Sequence, residues 1–166
     1  MEETLTERLI AYLKEHDADF QILSHEAVST SEEAARVRGT ALEQGAKALV
    51  CRADDRIILI VLQAHRRLDS KAFKRAYGVK NLQMIGANEL LTLTGLPPGA
   101  VPPFGHLFGF ATYVDADLLE LPRIAFNAGR RDTSLILATA DYQRLAQHTV
   151  GNFAASVAPP AAAGPS

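Results

Sequence analysis

The chain has 166 residues, 48% of them apolar and 22% charged, with a net charge of -2. That is enough chain for one domain with a real core, and the near-neutral charge excludes a protein that coats nucleic acid non-specifically, so DNA is not an expected partner. No apolar run approaches the roughly 20 residues that span a bilayer, the start MEETLTERL is acidic where a secretory signal is basic, and the one cysteine, Cys51, cannot form an internal disulfide. The expected location is cytoplasmic.

Leu5, Leu9, Ile10 and Leu13 recur at helical spacing behind a possible cap, Thr4, so the chain opens with an amphipathic helix. FQIL reads as a short strand. STSEEAARVRG begins a second helix, with Ser29 or Thr30 as cap, Glu32 and Glu33 in the first turn, and Gly39 as stop. AKALVCR and RIILIVL are β-branched runs joined by ADD, a hairpin signal, and the second run reads as buried on both faces. A helix is expected in DSKAFKRAYG, a strand in NLQMIG and a short helix in ANELLTLTG. A stiff Pro/Gly loop, TGLPPGAVPPFGHLFG, follows. FGFATYVD and RIAFNAG read as strands with a turn of helix between them, TSLILAT as another strand, and ADYQRLAQHT as the closing helix. Residues 1–155 form the expected domain, and 156–166 a flexible Pro/Ala-rich tail. Helices and strands mix without strict alternation. The fold class is therefore α+β, a single domain with a mixed, largely antiparallel β-sheet or barrel core flanked by helices.

Much chemistry is absent from the pattern. His16, His25, His65, His106 and His148 never pair at i, i+3 or i+4, so no metal site is expected. Cys51 reads as a small core residue rather than a nucleophile, and no serine sits in a G-x-S-x-G elbow. Nor does a Gly-rich fingerprint follow a strand, so no cofactor is implied. What remains is a lysine and a loop. Lys47 sits at the mouth of an apolar strand, facing solvent or a ligand, or simply snorkelling to water. The loop can be a rigid connection. Alternatively, Gly99 and Gly105 allow close approach to a ligand while Pro102 and Pro103 hold the shape that presents backbone N–H groups at a carbonyl. The clearest basic cluster is Arg66, Arg67, Lys71, Lys74, Arg75 and Lys80, which can equally be a solvated helix face.

The ordered set SHEAVSTSEEAA, AKALV, RRLDSKAFKRAYG, GANELLTLTG, GAVPPFG and FNAG…DTSLILATADYQRLA, from about Leu5 to Leu145, resembles the YbaK/prolyl-tRNA-synthetase-associated editing domains. Members of that family hydrolyse amino acids wrongly attached to tRNA. The resemblance implies a free-standing aminoacyl-tRNA deacylase that removes a small mischarged amino acid, with tRNA for proline as the expected substrate and prolyl-tRNA synthetase as a candidate partner. It assigns catalysis to Lys47 and to the loop Gly99, Ala100, Val101, Pro102 and Pro103. The loop amides hold the aminoacyl carbonyl, the lysine places the terminal adenosine or its phosphate, and the substrate's own ribose hydroxyl helps the attacking water. It implies substrate contacts at His25, Thr30, Ser31, Phe104, Gly105, His106, Asn127, Gly129 and Asp132. Thr30 can instead be only a helix cap, Asp132 can pair with Arg130 or Arg131, and His106 can close the loop by hydrogen bonding. The acceptor end of the tRNA is expected at Arg66, Arg67, Lys71, Lys74 and Arg75. Many members have two adjacent glycines where this chain has Gly99 and Ala100, so Ala100 either strains a position needing positive φ or narrows the pocket. The competing reading is a non-catalytic module that keeps the pocket for an aminoacyl or nucleotide ligand, or docks on a synthetase.

Overall fold

The computed structural model describes residues 3–155; the proposed tail, 156–166, lies outside the described residues. Among the described residues five α-helices and ten strands follow one another. Helix α1 (Leu5–Glu15) starts at a capping box in which the Thr4 hydroxyl accepts from the Glu7 N–H while the Glu7 carboxylate accepts from the Thr4 N–H. Such a cap stabilises a helix by about 1 kcal/mol. Leu9 and Leu13 are its buried face. Strand β1 (Phe20–Ser24) leads to α2 (Ser31–Arg38), capped in the same way by Thr30 and Glu33 and stopped by Gly39 in the left-handed region.

The hairpin β2 (Ala46–Ala53) and β3 (Arg56–Gln63) forms where the two apolar runs predict it, turning at Asp54 with φ 54°. Alternate residues of β3 point to opposite sides. Leu59 and Val61 enter one hydrophobic cluster, and Ile58, Ile60 and Leu62 another. This strand is thus the wall between the two halves of the core. After β4 (Arg67–Leu68) come α3 (Ser70–Tyr77), β5 (Leu82–Met84) and α4 (Ala87–Thr94). The loop then runs into a 3-10 turn at Gly105–Phe108. Strands β6 (Ala111–Asp115), β7 (Arg123–Arg130) and β8 (Thr133–Ala138), helix α5 (Thr139–Leu145), β9 (His148–Gly151) and β10 (Ala154–Ala155) complete the chain.

Three separate sheets result: β5-β2-β3-β6-β9, β1-β8-β7, and β4 with β10. They do not close into a barrel. Pairing is antiparallel except where β6 lies parallel to both β3 and β9. The closing helix is shorter than the sequence suggests. It ends at Leu145, and His148 to Gly151 pair with Thr112 to Asp115 instead. β-Branched Thr149 and Val150 suit that ladder better than a helix. The buried Asp115 carboxylate then fixes the chain's return by accepting the N–H groups of Phe153 and Ala154, each at 2.8 Å.

Candidate active site

A cleft of about 440 Å³ opens between α2, the start of β2, the Pro/Gly loop and the turn joining β7 to β8. Thr30, Ser31 and Arg38 line it from α2, Lys47 from β2, Gly99 and Val101 from the loop, and Asn127 and Arg131 from the opposite wall. Three cations and no carboxylate stand among these lining residues. A larger hollow of about 700 Å³ lies between the start of α1 and the end of α4, but neither Lys47 nor any residue from Gly99 to Pro103 lines it.

Loop geometry follows from three contacts. Gly99 carries the positive φ, 87°, that an L side chain resists. Its carbonyl accepts from the Asn127 side-chain amide at 2.7 Å. The next carbonyl, Ala100, accepts from the Gly129 N–H at 2.8 Å. Because a trans peptide sets its C=O and N–H in opposite directions, the Val101 N–H points away from β7. Among the described residues neither it nor the Gly99 N–H has a partner. Behind the loop, the buried Tyr142 hydroxyl donates to the Pro103 carbonyl at 2.7 Å, and Phe104 packs edge-on against Tyr142 and Phe126. Burying a phenylalanine stabilises by about 1.5–3 kcal/mol, so the loop is bolted to the core.

Lys47 is half-buried, and its Nζ donates to the Arg66 carbonyl. Burial pushes its pKa down, and the nearby Arg67 charge pushes it further in the same direction. Burial likewise lowers Arg38, to about 10, which leaves it charged at neutral pH. Its Nε donates to Ser134 Oγ at 2.9 Å and its Nη2 to Asn127 Oδ1 at 3.1 Å. The Ser31 hydroxyl donates to the Ala64 carbonyl at 3.1 Å, tying the front of α2 to the end of β3. The site is a cationic cleft with free backbone donors. Such a cleft can hold an anion beside a polarised carbonyl.

Residues 25–145 match the aminoacyl-tRNA editing domain. The chain belongs to that family. Over 152 residues it is 41% identical to the multifunctional Ser/Thr-tRNA deacylase ProXp-y of Escherichia coli (strain K12), covering 89% of this chain and 91% of that one. It is 33% identical over 110 residues to the uncharacterized protein YwhH of Bacillus subtilis (strain 168), covering 66% and 69%. Among solved structures, a protein proposed to be a trans-editing enzyme for prolyl tRNA synthetase has the same fold, with a TM-score of 0.80 at 24% identity over 94% of this chain and 100% of the other.

The editing domain brings Lys47, Gly99, Val101, Thr30, Ser31 and Asn127 to the one cleft. Other expected contacts are not part of its lining. Pro102, Pro103, Phe104 and Gly105 are buried beneath it. A Cβ on Gly105 would stand 2.2 Å from Thr112 Oγ1, so the close approach this glycine permits is to β6 and not to a ligand. The His106 side chain makes no hydrogen bond; both ring nitrogens are buried without partners, and the ring packs beside Tyr12 and Phe104. Gly129, at φ 91°, faces Thr6 of α1. His25 is engaged at both nitrogens, by the Glu26 carbonyl and by Ser134 Oγ, each at 2.7 Å. Asp132 pairs with Arg130 through two contacts, at 2.9 and 3.0 Å, which hold its carboxyl down at about 2. Ala100 has no positive φ, is fully buried and is not among the lining residues, so it neither strains the loop nor narrows the cleft.

Thr30 is both cap and cleft wall. Arg66 binds inward, to Asp117, Gln63 and the carbonyls of Ala154 and Ala155, and this fixes it as a structural clasp. Arg67, Lys71 and Arg75 are exposed, and Lys74 is half-buried. Cys51 lies fully buried in the core, its thiol pushed up to about 11. Among the described residues no three His, Cys, Asp or Glu side chains gather where they could hold a metal ion. Sequence reasoning missed Arg38 and Ser134; Arg131, read from the sequence with Arg130 as a candidate acceptor-stem contact, lines the cleft. Arg38 looks like an ordinary basic residue at a helix C-terminus, and only its tertiary contacts distinguish it.

Proposed function

We propose that this editing domain is a trans-acting deacylase that hydrolyses the ester of a small, wrongly attached amino acid on tRNA. Serine and threonine are its first substrates, and tRNA for proline is among its carriers. The observation that carries the reading is the unpartnered N–H of Val101, which shares with Lys47 a cleft lined by hydroxyls and cations without a carboxylate. The name of the E. coli relative supports the choice of amino acid. A recess of about 80 Å³, lined by Ala48, Leu49, Ile85 and Leu90 and sharing Gly99 and Val101 with the cleft, supports a small side chain. A site of that size admits small residues and rejects large ones.

In this reading the ester carbonyl lies against the Gly99 and Val101 N–H groups, which also receive the oxyanion when water adds. The loop backbone between these donors is already held by Asn127 at the Gly99 carbonyl and by Gly129 at the Ala100 carbonyl, so little reorganisation is needed at that moment. The Lys47 ammonium, with two protons left beyond its bond to Arg66, holds a phosphate oxygen of the terminal nucleotide. The free ribose hydroxyl of the substrate orients the water. The acyl C–O bond then breaks, the ribose oxygen takes a proton, and free amino acid and tRNA leave. Prolyl-tRNA synthetase is the source of error that this reading names.

A deacylation time course on proline tRNA charged in turn with alanine, cysteine, serine, threonine and proline tests it. Selective release of serine and threonine is expected. Esters left intact throughout, with binding retained, would instead make the chain a non-catalytic module.

A further inference from the structure

Arg38 is a largely buried cation, and among the described residues no carboxylate pairs with it. A charge so placed is costly unless its hydrogen bonds compensate. Those bonds settle the state of a short chain of groups. The Glu26 carbonyl can only accept, so a neutral His25 carries its proton on Nδ1 and presents a bare Nε2 to Ser134. The single Ser134 proton therefore goes to His25 at 2.7 Å, while Ser134 Oγ accepts from Arg38 Nε at 2.9 Å. Ser134 then has nothing left to donate to Asn127, 3.2 Å away. Arg38 Nη2 is the donor that remains for Asn127 Oδ1.

A guanidinium has five N–H donors and no acceptor. The end of the Asn127 amide that faces it must be the oxygen, and the opposite end, the NH2, must face the Gly99 carbonyl. We propose that Arg38 is a positioning residue that sets the orientation of the Asn127 amide and, through it, the Gly99–Val101 peptides that present the cleft's backbone donors. It acts from the far end of α2, two hydrogen bonds from the loop. Without it, either end of Asn127 can face the Gly99 carbonyl, and the carboxamide oxygen there repels it.

The test has two arms, and only the second rests on the deacylase reading. In the first, the amide resonances of the Asn127 side chain, Gly99 and Val101 are followed by nitrogen-15 NMR in the free protein. Arg38→Met should shift all three sets and speed exchange of the Asn127 amide protons. Unchanged resonances in a folded variant would overturn the proposal. In the second, deacylation of seryl-tRNA is measured. Arg38→Met should lower kcat by about ten- to a hundredfold, the worth of one charge-assisted contact, with little change in KM. Arg38→Lys keeps the charge but loses the fork and should recover little. The pair Arg38→Met with Asn127→Ala should be no slower than Asn127→Ala alone.

Asn127→Asp guards against a variant that fails to fold. It keeps an acceptor facing Arg38 and adds an ion pair, yet removes the donor to Gly99, so it should retain its Tm and still lose kcat. Full rate in Arg38→Lys or Asn127→Asp, multiplying effects in the double variant, or a pure KM effect that fades with salt would each overturn the proposal, the last by making Arg38 a substrate contact. A wild-type protein without turnover would remove the deacylase reading and leave the NMR arm to decide the role of Arg38.

Discussion

The Gly129 N–H donates to the Ala100 carbonyl at 2.8 Å, and this one bond between β7 and the loop decides which way the next amide points. Gly129 can do this because it sits at φ 91° with α1 packed against it; an added Cβ would lie 2.8 Å from Thr6 Oγ1. Gly129→Ala should therefore cost about 1–3 kcal/mol from backbone strain alone. Tm should fall by about 2–4 °C per kcal/mol in a chain of this size. The deacylation rate should fall as well, because the strained strand pulls on Ala100. Thermal unfolding and single-turnover kinetics check the two effects together. An unchanged Tm would contradict the packing at Thr6.

Ala100→Gly tests the departure from the double glycine that the sequence resemblance implies. The Ala100 methyl is fully buried and its φ is not positive, so glycine relieves nothing. Loss of one buried methyl group and added freedom in the unfolded chain should destabilise by about 1–2 kcal/mol. The rate should stay the same. A faster enzyme would mean that the loop needs a conformation alanine denies it.

Lys47→Ala removes the charge that the deacylase reading sets against a phosphate oxygen. Deacylation should drop by roughly tenfold or more, matching the 1.5–3 kcal/mol of one charge-assisted hydrogen bond. Tm should change little, since the ammonium is half-exposed and its one protein partner is a carbonyl. Circular dichroism melts beside the kinetics separate the two. Full activity in a folded variant would take Lys47 out of the mechanism.

These variants also show what the sequence made legible. Lys47 and Gly99 stand out locally, as a charge in an apolar strand and a glycine in a proline loop, whereas Asn127, within β7, comes only from the family resemblance. The long elements are legible because caps and periodicity are local too, as Thr4 with Glu7 and Thr30 with Glu33 show. Strands β4, β9 and β10 are not: unlike the equally short β5, they carry no strand run of their own in the sequence and are set by the partners they find. Phe104 and His106 mislead by adjacency: Val101 is the last loop residue to line the cleft, and the chain is buried from Pro102 through Gly105. Arg38 lies 89 residues from the side chain it orients, a distance no local pattern reports.

The basic segment divides into a clasped part and an exposed part. Arg66, with a side chain 15% exposed, clasps the carbonyls of Ala154 and Ala155 and pairs with Asp117. Arg66→Ala should lower stability by about 1–3 kcal/mol through the acceptors it abandons. Arg67, Lys71 and Arg75 are exposed, and Arg67 is near enough to depress Lys47. Neutralising these three should leave Tm in place and raise KM for aminoacyl-tRNA. The slope of log affinity against log salt should become shallower by about 0.7 for each phosphate of single-stranded RNA that is no longer neutralised. Equal slopes for wild type and variant would place the tRNA elsewhere.

His106 gives the fold an acid limit. Its ring lies beside Tyr12 and Phe104 with neither nitrogen bonded, and burial pushes its pKa below the ordinary 6.5. The unfolded chain therefore binds a proton more readily than the folded one. Stability is fully present above about pH 6.5 and is lost as pH falls from there through the lowered folded value, because charging the ring favours the unfolded state. His106→Leu keeps the apolar packing and removes both unpaired nitrogens. It should match or exceed wild-type stability at pH 7.5, flatten the decline between pH 6.5 and 5, and leave seryl-tRNA deacylation at pH 7.5 intact. Denaturant melts across that range measure the first two, and a rate at pH 7.5 the third. A variant that is stable but inactive would bring His106 out of the core and into the reaction.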